Sequence, residues 1–315
     1  MNKQRRFLLL ITISTIGSMV DTGVLKGART AMAQEANATK VPKGFLLPNP
    51  SSANGDISDY TPELLQSFFR KEVEAYEIAI TDSNKKLVLR PDPVINWKNP
   101  EVLNQGSLFV WMNDKRPAAI VSIFCYQSRD EVRRRHEVIS FSPQSLVARM
   151  EGQVVWKPGP ADLKGFVVAE EMDVATTAPR RLTQMRTIAR DIAGKHITIK
   201  QITKELRLMP QPLIRYEATE EGLIDGSIFA LSTGTDPEIL VMIEARKTNS
   251  EVKWHLIPFR SHYDLLEMSY KNTLIWTAPY VPELMLSIPM QIPFAMRPFF
   301  VFTPPKPMPS PKSLK

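Results

Sequence analysis

The chain has 315 residues, 43% of them apolar and 23% charged, with 40 Lys and Arg against 33 Asp and Glu. That composition describes a folded globular protein long enough for two ordinary cores, and it argues against a disordered chain. A mean hydropathy of -0.17 argues against a protein that crosses a membrane many times.

The N-terminus has the pattern of an export signal. Lys3, Arg5 and Arg6 precede a short apolar stretch from Phe7 to Val20, and Ala31-Met32-Ala33 supplies a small-residue cleavage pattern before Gln34. Residues 1–33 are therefore expected to be removed on passage to an extracytoplasmic compartment, periplasmic or secreted. They carry a net +4 of the total +7, leaving about +3 on the mature chain. No long basic face remains, so nucleic acid is not expected as a partner. No transmembrane span is expected in the mature chain, and the partner is expected to be an envelope component or a protein. Residues 34–59, rich in Asn, Ser, Pro and Gly, read as a linker.

From residue 60 the sequence repeats itself. Gly106 to Trp156 aligns without gaps onto Gly226 to Trp276, with ten identical pairs in 51 positions, among them Gly106/Gly226, Phe109/Phe229, Val121/Val241 and Trp156/Trp276. Composition alone would give roughly three. Upstream, Leu87-x-Leu89-x-Pro91-x-Pro93 matches Leu206-x-Leu208-x-Pro210-x-Pro212 at an offset of 119. Each copy opens on a helical pattern. Leu64, Leu65, Phe68, Phe69, Val73 and Tyr76 form the first stripe, with Thr61-Pro62 as a helix start. Leu182, Met185, Ile188, Ala189 and Ile192 form the second, with Gly194 as a stop.

Period-two runs follow in the first copy at 86–90, 107–112, 118–126, 134–141, 145–150 and 153–156, separated by turn residues such as Asn113-Asp114-Lys115 and Glu151-Gly152. The fold class expected is α+β: a tandem duplication in which each module is a helix followed by an antiparallel β-meander. The modules span 60–172 and 173–292. A Pro-rich tail follows at 293–315, of which Ile292 to Phe302 is expected to lie along a groove of the protein itself.

No catalytic motif is present: no nucleophile elbow, phosphate loop, dinucleotide glycine pattern or zinc helix. The histidines, His136, His196, His255 and His262, show no ligand spacing, so neither a metal nor a cofactor is expected. Cys125, the single cysteine, lies in an apolar run and reads as core. Candidate site residues are acidic. Glu244 interrupts the run Ile239 to Ile243 and shares a strand face with Leu240, Met242 and Arg246, which points to a Glu244–Arg246 pair with a further charge across the strand. Asp236 and Glu238 read either as an acid/base pair or as a turn whose Asp caps its own backbone, with Glu238 facing solvent; Glu137 beside His136 completes the set. Trp97, Trp156 and Trp276 have aromatic counterparts and read as core. Trp111 and Trp254 have none, which makes them the ligand-binding candidates.

The runs Arg90-Pro91-x-Pro93-Val94-x-x-Trp97-x-Asn99-Pro100, Leu206-x-Leu208-x-Pro210-Gln211-Pro212 and Asp225-Gly226-x-x-Phe229-Ala230-x-x-x-Gly234-Thr235-Asp236-Pro237-Glu238 resemble a group of exported hypothetical proteins from planctomycete bacteria, over roughly Pro91 to Trp276. The resemblance implies export and a shared fold, with no activity attached. The sequence thus supports a non-catalytic binding or scaffold role at the cell envelope. The alternative is a hydrolase whose site lies between the two modules and draws on His136, Glu137, Asp236 or Glu244.

Overall fold

The computed structural model describes Ile57 and residues 60–128, 131–217, 222–248, 251–281 and 294–301, all within one compact unit. The expected signal segment lies outside the described residues, as does the linker apart from Ile57 and the end of the chain from 302. The first half runs α1 (Pro62–Val73), β1 (Tyr76–Ile80), β2 (Val88–Leu89), β3 (Ile95–Asn99), β4 (Asn104–Asn113), β5 (Arg116–Ser128), β6 (Glu131–Ser140), β7 (Leu146–Met150), β8 (Gln153–Trp156) and β9 (Phe166–Val168). The second runs α2 (Ala178–Arg190), β10 (Ile192–Ile197), β11 (Thr203–Leu208), β12 (Ile214–Glu217), β13 (Leu223–Thr233), β14 (Asp236–Thr248), β15 (Glu251–Arg260), β16 (Leu265–Tyr270), β17 (Thr273–Ala278) and β18 (Phe294–Val301).

The expected α+β class does not hold. Strand accounts for 55% of the structure and helix for 12%, and the sheets approach a closed, barrel-like arrangement. Nor is each half a self-contained helix-then-meander unit. β1, β7 and β8 form a separate three-stranded sheet, whereas β10, β16 and β17 are continuous with a nine-stranded one. Strands also cross between halves: β9 pairs with β15, and β18 pairs with β6. The helical stripes are real, but each belongs to a helix of about three turns lying on one sheet face. The sheets pack one face of each against the other.

Helix boundaries follow local chemistry. Thr61 caps α1, its Oγ1 accepting from the Leu64 N–H at 3.3 Å, with Pro62 in the first turn. α1 stops at Val73, so Tyr76, read above as helical, opens β1. α2 ends at Arg190 and is capped by Asp191. Gly194, read as its stop, instead sits inside β10 opposite Leu206 and Met268. No helix among the described residues is long and apolar enough to cross a membrane.

The meander β4–β5–β6 and the meander β13–β14–β15 have matching registers: Phe109 faces Val121 as Phe229 faces Val241, and Val121 faces Val138 as Val241 faces Pro258. One face of each meander contributes to a shared core: Leu108, Val110, Ile120 and Ile139 from the first, Ile228, Ala230, Leu240 and Met242 from the second. The opposite faces are covered by the helices. Met185, Ile188 and Ala189 of α2 lie over Phe229, Val241 and Trp254, and α1 packs over β4 and β5 with Leu65 and Phe69 buried.

Gly106 and Gly226, identical in the two copies, sit where an aromatic ring crosses the strand. A Cβ on Gly226 would lie 2.3 Å from the Tyr216 ring, and one on Gly106 would lie 2.8 Å from Trp97 and 2.7 Å from the Ile123 carbonyl. Each contact forces the ring or strand to shift. Gly106→Ala and Gly226→Ala are each expected to cost roughly 1–3 kcal/mol in denaturant unfolding. An unchanged midpoint for either would refute this packing.

Candidate functional site: an acidic cleft between the sheets

Glu244 and Arg246 lie on the inner face of β14, as their alternation with Met242 requires. The Glu244 carboxylate is fully buried. It accepts from Arg246 Nε at 2.6 Å, from Tyr216 Oη at 2.6 Å and from an Arg116 guanidinium nitrogen of the opposing sheet at 3.1 Å. Burial works to raise its pKa, but Arg116 and Arg246 outweigh that and hold it below the usual carboxylate range. With both carboxylate oxygens engaged, this is a structural lock joining the two halves.

His136 also has a structural setting. It lies on the outer face of β6 beneath α1, its Nε2 donating to Glu72 Oε2 at 3.1 Å and its Nδ1 accepting from Tyr76 Oη at 2.6 Å, while Arg134 pairs with the other Glu72 oxygen. Trp254 is sealed beneath α2. Trp111 is 1% exposed and meets Tyr76 edge-on at 6.1 Å. Trp254 presents no face to a ligand, whereas Trp111 lines a separate pocket of about 490 Å³ with Tyr76, Lys86, Leu89 and Arg149. Burial pushes the Cys125 thiol pKa far up, in keeping with a core residue.

Glu137 and Asp236 do converge. Both line a cavity of about 380 Å³ between the sheets, together with Glu238, His196, His262, Trp97, Phe124, Tyr126 and Tyr263. Glu137 stands two residues before Ile139 on the inner face of β6. Asp236 and Glu238 begin β14, placed by a hairpin turn at Gly234-Thr235 that is tied to the other half: the Lys98 N–H donates to Thr235 Oγ1 at 2.7 Å, and Thr235 N–H donates to the Lys98 carbonyl at 3.1 Å. Asn99 donates to Asp236 at 3.4 Å. Asp236 is therefore a wall of the cleft as well as a turn residue. Glu238, expected to face solvent, is 2% exposed.

The one basic group beside the three acids in an ion-pair geometry among the described residues is the His196 imidazole, 3.9 Å from Glu238 Oε1. Among the described residues none of the acids makes an ion pair with Lys or Arg, because the two cations lining the cleft are engaged elsewhere. Arg135 lies over the Tyr126 ring, 5.2 Å from its centroid, and Lys204 pairs with Glu101. Burial, followed by the charge of Asp236, raises the Glu137 pKa to about 8. Burial raises Asp236 to about 7 despite the Asn99 bond, and burial then Asp236 push Glu238 well up.

The histidines come from distant parts of the chain. His196 on β10 and His262, after β15, have ring centroids 4.5 Å apart. Asp264 accepts from His196 Nε2 at 2.7 Å, and its backbone N–H donates to His262 Nδ1 at 3.1 Å. Burial and then His196 depress the His262 pKa. Sequence reading missed both histidines, since no short spacing links them. Glu238, weighed as an acid/base partner of Asp236 or a solvent-facing turn residue, lies on the inner face to which the alternation that located Glu244 also assigns it. No protein-family model, no curated protein and no solved structure matches this chain.

Two outcomes follow. Glu244→Ala removes the buried carboxylate shared by Arg116, Arg246 and Tyr216 and is expected to cost about 3–5 kcal/mol by urea unfolding; a loss below 1 kcal/mol would contradict the lock. Glu137 behaves in the opposite sense. Its folded pKa lies above the unfolded value, so the folded protein holds an extra proton between about pH 4.5 and 8, and stability drains away as pH rises through that window. Glu137→Gln should therefore raise the melting temperature at pH 8.5, by the equivalent of roughly 2–4 kcal/mol, and leave it nearly unchanged at pH 4. Equal effects at both values would exclude a desolvated Glu137.

Proposed function

We propose that this chain is a binding protein of an extracytoplasmic compartment, and that the cleft between its sheets takes a small ligand through a positively charged group. One observation carries the reading: Glu137 and Glu238, both buried, and Asp236, half-buried, face one cavity with no Lys or Arg paired to them among the described residues. Desolvated carboxylates gathered in this way are costly unless protonated or matched by a cation. Trp97, Tyr126 and Tyr263 add aromatic walls, which suit an organic cation as well as a neutral ring. The N-terminal signal pattern and the resemblance to exported planctomycete proteins support the compartment.

A hydrolase is the second reading. It is favoured by the meeting of Glu137 and Asp236, two acids with pKa values of about 8 and 7, since one protonated and one ionised carboxyl group suit general acid/base chemistry.

A thermal-shift panel separates the classes. Amines, divalent metals, neutral oligosaccharides and organic anions are each added to the purified protein at pH 7.5. Cationic ligands should raise the melting temperature, by the equivalent of about 2.7 kcal/mol at a hundredfold excess over Kd, and Glu137→Gln/Asp236→Asn should abolish the shift. Stabilisation by anions alone would overturn the reading. Turnover of an ester, amide or glycoside that is lost in Glu137→Gln would establish the hydrolase instead.

A further inference from the structure

We infer that His196, Glu238 and His262 form a site for a divalent late first-row transition-metal ion of the zinc class at the inner end of the cleft. The inference rests on the cationic reading of the cleft and names the cation. The three residues come from β10, the start of β14 and the segment between β15 and β16, and one ligating atom from each lies within 4.8 Å of the other two. Zinc ligands at about 2.0–2.2 Å from the metal stand about 3.3 Å apart, so closure asks only for small side-chain rotations.

A second observation points to the same place. Asp264 accepts from His196 Nε2 at 2.7 Å, so the proton is on Nε2 and the Nδ1 lone pair is free. That Nδ1 is buried, has no hydrogen-bond partner among the described residues, and lies 3.9 Å from Glu238 Oε1. A lone pair and a carboxylate oxygen facing each other in a dry site call for a cation between them. Asp264 then acts as the outer carboxylate that orients a ligating imidazole.

His262 is arranged to join. Its Nδ1 accepts from the Asp264 backbone N–H and lies 3.8 Å from Asp264 Oδ2. When Nε2 turns to the metal, the proton moves to Nδ1, and a small ring rotation lets that nitrogen donate to the same carboxylate. Two imidazoles and one carboxylate select zinc, cobalt, nickel or copper over calcium or magnesium, which require an all-oxygen shell.

The test is titration of the chelator-treated full chain with Co2+, followed by visible d–d absorption, with Zn2+ competing. Wild type should develop an intense visible band that Zn2+ displaces. His196→Ala and His262→Ala should remove the band, Asp264→Asn should weaken binding roughly tenfold to a hundredfold, and Glu171→Gln, an exposed site outside the cleft, should retain it. A near-ultraviolet circular dichroism spectrum matching wild type confirms that each variant is folded, and Asp264→Asn serves as the milder variant if an alanine substitution unfolds the chain. No band in wild type, or a band unaffected by the histidine substitutions, would overturn the site. If Co2+ and Zn2+ fail while an organic amine still raises the melting temperature, the metal site is overturned and the cationic cleft stands.

Discussion

Two sheets pressed face to face leave little room for water, and every charged group caught between them has to be compensated. This constraint acts at two related places. Along the repeat, Arg116 corresponds to Asp236, Phe124 to Glu244 and Tyr126 to Arg246, with Trp97 corresponding to Tyr216 one residue out of step. At one place these positions hold Arg116, Glu244, Arg246 and Tyr216, a closed set in which each charge meets its opposite. At the other they hold Asp236, Phe124, Tyr126 and Trp97, and the result is a cavity with acids on its walls. Related backbone positions give a lock in one half and a cleft in the other, and the side chains alone make the difference.

The cleft is held rigidly because the halves are interlaced. β9 completes the sheet of the second half and β18 that of the first, so separating the halves would strip an edge strand from each sheet. The hairpin turn carrying Asp236 is bonded to β3 across the interface, with Arg207 donating to the Gly234 carbonyl at 2.8 Å from behind. Acids placed by such a frame cannot swing out to water when they ionise. Their elevated pKa values are the consequence.

Much of the sheet was legible in the sequence, because period-two alternation and turn residues are local signals. The strands at 107–112, 118–126 and 153–156 fall within β4, β5 and β8. Alternation also located Glu244 on an inner face. What was not legible depends on distant contacts. The exchange of β9 and β18 leaves no local mark, and the fold class was misjudged because two short amphipathic stretches look as weighty in sequence as a whole sheet does in space. The tryptophans take different settings that spacing does not reveal: Trp254 is sealed beneath α2, Trp111 meets Tyr76 and lines a second pocket, and Trp97, present in both copies as an aromatic position, serves the core and the cleft wall together. His196 and His262 meet only through the pairing of β10 with β16.

The cleft depends on its three carboxylates sharing one dry cavity. Infrared spectroscopy reads this directly, since a protonated carboxyl group has a C=O stretch that a carboxylate lacks. A pH titration of the metal-free protein should show that band persisting at pH 7 and fading only between about pH 7 and 9, with a smaller band in Glu137→Gln. Loss of all carboxyl absorption below pH 5.5 would mean that the acids are solvated, and would contradict the cleft as described.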